Sequence, residues 1–327
     1  MVLHFGKATR IFLRTMPWVV ARFAVGVAFA LLAVLWFGIV LWIVFGSIGL
    51  SGLIGLGALL LATVIFGGFV MLVRRYVLYL VAAGHVAVIA HAVDTGEVPD
   101  NQLRFGKEKV SGRFVEASGL FAVDQVVKTV IKQFNEAVAS VGRLVDFVPA
   151  LRQLMGIVTA AIGMAASYLD QAILAHMFLH EEKGTWTAAR DGLVLYGKTW
   201  KPVLGSTAVI VVGMQAVTLA FVAVLAVVSG ALGGFGTIVE AAVWLVVGGF
   251  VAVGYFGILS PWIKTVVITT YLVESEGMSP DSETMDYIAD RSSKFTEVLS
   301  RADEEAEPTP KPGDAVVEDE PTAGTPG

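Results

Sequence analysis

Four ionisable residues set four apart, Asp124, Lys128, Lys132 and Glu136, carry the most suggestive chemistry in this chain. They alternate with Val123, Val126, Val127, Val130, Ile131, Phe134, Val138 and Val141. At helical pitch the four form one slowly drifting stripe, opposite an apolar face. The order Asp-Lys-Lys-Glu allows an i,i+4 ion pair at each end. Two placements fit: a helix lying flat in the membrane interface, or a spanning helix whose charged stripe faces the interior of a bundle. Asp170 sits well inside the apolar run Met155–Leu179. A carboxylate in such a run is expensive and marks either a pathway or a structural pair with a lysine. If Gly119–Val145 and Met155–Leu179 form an antiparallel hairpin, residues at equal depth have numbers summing to about 300, because both helices rise equally per residue. Asp170 then falls between Lys128 and Lys132, and His176 falls level with Asp124. Glu240 opens the run Thr237–Leu259, where a carboxylate suits the helix dipole. These residues would line a path for a solute or an ion.

Other chemistry is poorly represented. His176 and His180 stand at metal-sharing spacing, but the H-E-x-x-H pattern and further nearby ligands are missing, so a helix end is expected there and no metal. The sequence has no G-x-S-x-G, P-loop or dinucleotide fingerprint. It has no cysteine, which removes disulfides, thiolate ligands and a cysteine nucleophile. We therefore expect neither an enzyme nor a cofactor. No basic patch suits nucleic acid.

The elements that must position these residues are apolar helices. The chain has 327 residues, 56% hydrophobic and 16% charged, against about 25% charged in soluble domains. Four runs reach the roughly 20 residues that cross a hydrocarbon core: Phe23–Phe45, Leu50–Val73, Val203–Ser229 and Thr237–Leu259. Met155–Leu179 is a fifth, and Gly119–Val145 would be a sixth. The first run, at 23 residues, exceeds the 7–15 of a signal-peptide core. Tyr76–Val93 reads as an inner extension of the second helix. The expected fold is all-α: a polytopic membrane bundle of six spans over residues 1–301, with amphipathic elbows on the cytoplasmic side. Residues 302–327 hold eight acids, one lysine and five of the 11 prolines, and are expected to be a disordered acidic tail.

Charge supports six spans with both termini inside. The inner segments then hold sixteen Lys and Arg, and the outer links only Arg143 and Arg152, as the positive-inside rule requires. The bilayer of a plasma or inner membrane is the expected partner. An internal repeat is also present. An offset of 181 aligns residues 52–116 with 233–297 without a gap, matching Gly67-Gly68-Phe69-Val70 to Gly248-Gly249-Phe250-Val251 and Gly96, Pro99, Asp100 to Gly277, Pro280, Asp281. Repeated helical units are frequent in transporters.

Ala189-Arg190-Asp191-Gly192-Leu193, followed by a span, a turn and a long helix ending Tyr271-Leu272-Val273-Glu274, resembles the carboxy-terminal half of the choline transporter-like family. The similarity runs from about Ala90 to Ser300. It implies a transporter-like bundle. The chain lacks that family's long cysteine-bearing outer domain, and no substrate residue carries over. The sequence thus points to a small-solute transporter or channel, with an organic cation as one substrate class. The alternative is a non-transporting membrane scaffold or assembly subunit.

Overall fold

The computed structural model describes residues 4–47, 52–113, 117–140, 168–231 and 255–306. Among them are ten α-helices and no strand: α1 (Phe5–Arg14), α2 (Met16–Leu41), α3 (Gly52–Thr95), α4 (Gln102–Arg113), α5 (Ala117–Ser140), α6 (Leu169–Leu179), α7 (Thr185–Ala231), α8 (Ser260–Glu274), α9 (Ser282–Ala289) and α10 (Ser293–Ala306). Short π-helical segments, Trp42–Ser47 and Tyr255–Leu259, extend α2 and lead into α8.

Two described helical stretches, Met16–Val44 and Gly52–Thr95, are long and apolar enough to cross a membrane. Helix α2 starts with Pro17 in its first turn, where a missing N–H costs nothing. It is apolar all round, and Phe23, Leu31, Val34 and Leu35 stand exposed. By length and composition such a helix could cross a membrane. Helix α3 has 44 residues and rises about 66 Å, twice the hydrocarbon thickness. Its first half exposes Leu53, Ile54, Leu61, Val64, Ile65 and Leu72, whereas Ala83, Val86, Ala87, Ile89, Ala90 and Val93 are buried. Tyr76–Val93 thus continues the same helix into the packed core. Helix α7 repeats the division in the opposite sense. Ala188 to Tyr196 lie largely in the core, and Leu219, Val224 and Val227 face outward.

The buried core belongs to the C-terminal half of α3 and the N-terminal part of α7. The former packs on α6 and α8, and α6 and α8 also pack on α7. Helix α1 buries Ala8, Ile11 and Phe12, spaced at helical intervals, and lies along α8. The close fit of α3 and α4 depends on two glycines. A Cβ at Gly106 would lie 2.7 Å from the Gly84 carbonyl oxygen and 2.4 Å from the Trp18 ring. Helices α3 and α8 end in the same way: Gly96 has φ +77° and Gly277 φ +72°, a left-handed conformation that favours glycine. These two positions are related by the offset of 181. The first unit continues into the single helix α4, whereas the second divides into α9 and α10 after the Asp281 cap accepts from Thr284 N at 2.7 Å.

Two differences from the sequence reading follow. Helix α5 packs along its length against elements that carry water-facing charges. The Phe134 ring meets Tyr196, Trp200 and Tyr287 edge-on. Gln133 accepts from the Ser292 hydroxyl at 2.8 Å and from Lys294 N, and Tyr196 Oη donates to Asn135 at 2.7 Å. The C-terminal half of α5 lies on α9 and α10, and α5 is not one of the two described helices long and apolar enough to cross a membrane. The acidic tail also starts later than composition suggested. Residues 302–306 complete α10, Ala302 is fully buried, and Glu305 accepts from Thr187 N at 2.9 Å, tying α10 to the N-terminal turn of α7.

Candidate functional site

The charged stripe on α5 splits. Residues spaced four apart advance about 40° around a helix at each step, so the ends of the stripe point in different directions. Asp124 is buried, while Lys132 and Glu136 are exposed and pair loosely with each other at 3.9 Å. Lys128 lies between these extremes. Its ammonium sits 2.5 Å from Asp124 and 3.3 Å from Asp170, and its side chain is 43% exposed, against 3% and 4% for the two acids. Of the two lysines that spacing set beside Asp170, the structure places Lys128 there and leaves Lys132 outside.

Each member is held by a different element. Asp124 and Lys128 share one face of α5, and Gln125 donates to Asp124 at 3.3 Å. Asp170 stands in the first turn of α6, where the helix dipole favours a carboxylate. Tyr79 of α3 lies beneath the ammonium, its ring centre 6.0 Å away. The surrounding Val123, Val127, Ile173, Leu174 and Met177 leave a gap of about 10 Å³, room for one water at most. Burial raises the Asp124 carboxyl to about 6, with Lys128 opposing and Asp170 adding to the rise. Burial also raises Asp170, against the pull of Lys128 and Lys264. One half-exposed cation thus holds two buried carboxylates together. Such a group can bind or release a proton near neutral pH, and it locks α5 to α6.

His176 is buried at the other end of α6, stacked on His180 with ring centres 4.0 Å apart and edge-on to Tyr271. It lines a different cavity from Asp124. Among the described residues no group of three or more His, Asp and Glu could hold a metal ion. The two histidines border a cavity of about 330 Å³ where the C-terminal ends of α3, α6 and α8 meet, and Lys7 Nζ donates there to the Val93 carbonyl at 3.1 Å. Glu240 lies outside the described residues.

Further charged groups stand near the triad that spacing alone did not single out. Lys264 of α8 lies 5.9 Å over the Tyr168 ring, just before α6. Lys264 and Arg22, the last cation before the exposed apolar part of α2, act electrostatically on each other. Arg22 immediately precedes an apolar run and Lys264 closely follows one. That position was a readable signal, since cations collect at the inner ends of spans. Their approach to each other was not readable, because it depends on how α2 meets the segment leading into α8.

No protein-family model matches the chain, and no curated protein and no solved structure was found to match it.

Proposed function

We propose that this chain is a membrane-anchored helical platform of four spans, whose inner domain is its working part. The spans are Phe23–Phe45, Leu50–Val73, Val203–Ser229 and Thr237–Leu259. The observation that carries the reading is the position of the core: the tightly packed side chains belong to the inner halves of α3 and α7 together with α1, α5, α6, α8, α9 and α10. Since the end of α5 and the start of α6 lie in that one domain, only residues 141–168 are left between them. Two crossings need about 40 residues, and 28 do not suffice. With four spans and the amino terminus inside, all 23 Lys and Arg fall on the inner side, and the outer links 46–49 and 230–236 carry no charge. That is stronger agreement with the positive-inside rule than six spans achieve, because Arg143 and Arg152 move inside. The membrane is then a plasma or inner membrane, with both termini cytoplasmic.

A platform suits the charged stripe as it stands. The triad is paired, its two carboxylates are buried, and it joins α5 to α6. Solute transport, with an organic cation as one class, is the second reading. The buried Asp170 beside a half-exposed lysine favours it, as does the resemblance of the order of elements to that of the choline transporter-like family. Uptake by liposomes containing the purified chain, screened over amines, ions and organic acids, separates the two. A platform leaves every solute at the rate of protein-free liposomes, and saturable uptake of any one overturns it. The span count has its own test. Single cysteines at Ser47 and Gly233 should react with an impermeant thiol reagent added to intact cells, and a cysteine at Arg152 should not; labelling at Arg152 restores six spans.

A further inference from the structure

Among the described residues, Arg22 and Lys264 are two cations of the inner domain that no salt bridge balances. Both are half-buried. Among the described residues neither has a carboxylate within salt-bridge distance, and Asp170, the acid that acts on Lys264, is engaged by Lys128, as is Asp124. The group of Arg22, Lys128, Lys264, Asp124 and Asp170 therefore carries one positive charge in excess. Two like charges on different helices, close enough to repel each other, cost stability unless an anion lies near them.

Their location indicates the anion. Arg22 immediately precedes Phe23, which is 53% exposed on the lipid-facing surface of α2, and Lys264 follows the exposed Ile258 by six residues. Helix α2 touches the segment Tyr255–Leu259 that leads into α8. The two cations therefore sit where apolar spans give way to the inner domain, at the depth of lipid headgroups. Tyr168 supplies an aromatic ring beside Lys264, the amphipathic type of side chain that gathers at that depth.

We infer that Arg22 and Lys264 together bind the phosphate of an anionic phospholipid from the inner leaflet. Arg22 presents a planar fork suited to phosphate oxygens, and Lys264 a point charge. Bound phosphate neutralises the excess charge and relieves the repulsion between them. The acyl chains lie along the exposed face of α2. Burial, then the charge of Arg22, lowers the Lys264 ammonium to about 8 against the pull of Asp170, and a bound phosphate would raise it again. This inference rests on reading α2 as a span. Resistance of the chain to extraction by alkaline carbonate tests that premise separately.

The test uses the full chain in phosphatidylcholine nanodiscs. Phosphatidylglycerol or inorganic phosphate is added at equal phosphate, with melting temperature and native mass spectrometry as readouts. Phosphatidylglycerol should raise the wild-type melting temperature by about 5 °C or more near saturation and be retained in the mass spectrum, with inorganic phosphate doing neither. R22Q/K264Q should bind the lipid roughly thirtyfold more weakly, at about 1 kcal/mol per cation near a membrane surface. K107Q/K132Q, which removes two exposed cations elsewhere, should bind as wild type does. Should the double variant fail to fold, K264Q alone and the wild-type preference for phosphatidylglycerol over phosphatidylcholine decide. Absence of that preference, equal stabilisation by inorganic phosphate, or an equal loss in K107Q/K132Q overturns the inference.

Discussion

Replacing Lys128 with methionine tests whether the triad holds α5 to α6. Methionine keeps most of the unbranched stem, and with it the contact over Tyr79, while removing the charge. Asp124 and Asp170, 3% and 4% exposed, would then face each other without the cation now 2.5 and 3.3 Å away. Breaking a buried pair by removing one partner costs about 3–5 kcal/mol. Lys128 is 43% exposed, so water already screens part of its attraction, and about 2–3 kcal/mol is the reasonable expectation. A domain of this size loses about 2–4 °C in melting temperature per kcal/mol, so K128M should melt roughly 5–10 °C below wild type at pH 7.5. The pH dependence gives the sharper check. Burial already raises both carboxyls, Asp124 to about 6, and loss of the lysine raises them further. A raised folded-state value means that the neutral form is favoured on folding, so stability is full below the unfolded value near 4 and falls as pH rises through the folded one. The deficit of K128M should therefore shrink towards zero between pH 7.5 and 4.5. A variant that melts with wild type at pH 7.5, or whose deficit is the same at both pH values, refutes the argument.

Other consequences are as direct. Asp124→Asn should flatten the rise in melting temperature that wild type shows between pH 7 and pH 5, because the group whose charging opposes folding is gone; an unchanged slope counts against a buried Asp124. Gly106→Ala should lower stability by about 1–3 kcal/mol, since the new methyl meets the Gly84 carbonyl as well as the Trp18 ring; Gly112→Ala on the same helix, with nothing within 4 Å, is the control. Truncation after Ala306 should leave the melting temperature in detergent unchanged, whereas truncation after Ala302 should lower it by removing Glu305 from Thr187 N; equal behaviour of the two would detach α10 from α7.

The apolar helices and the offset glycines were legible because their causes are local. Twenty apolar residues in a row exclude water whatever surrounds them, and a left-handed turn selects glycine from its own backbone. The partnership of Asp170 with Lys128 was nearly legible too, since it needs only equal rise in two neighbouring helices. The surroundings of α5 could not be read. Its valines and phenylalanine repeat at helical spacing, and a helix packed on protein shows the same period as one packed on a bundle within lipid. What separates the two cases is the company of Phe134 and Gln133, which is Tyr287, Ser292 and Lys294, some 150 to 160 residues away in sequence. A separation of 118 residues likewise hid the end of α10, where composition from Ala302 onward looks like an acidic tail while Glu305 reaches across to cap α7. On the four-span reading proposed above, placing α5 with α9 and α10 leaves too little chain for two further crossings, and Arg143 and Arg152 join the other cations on the inner side.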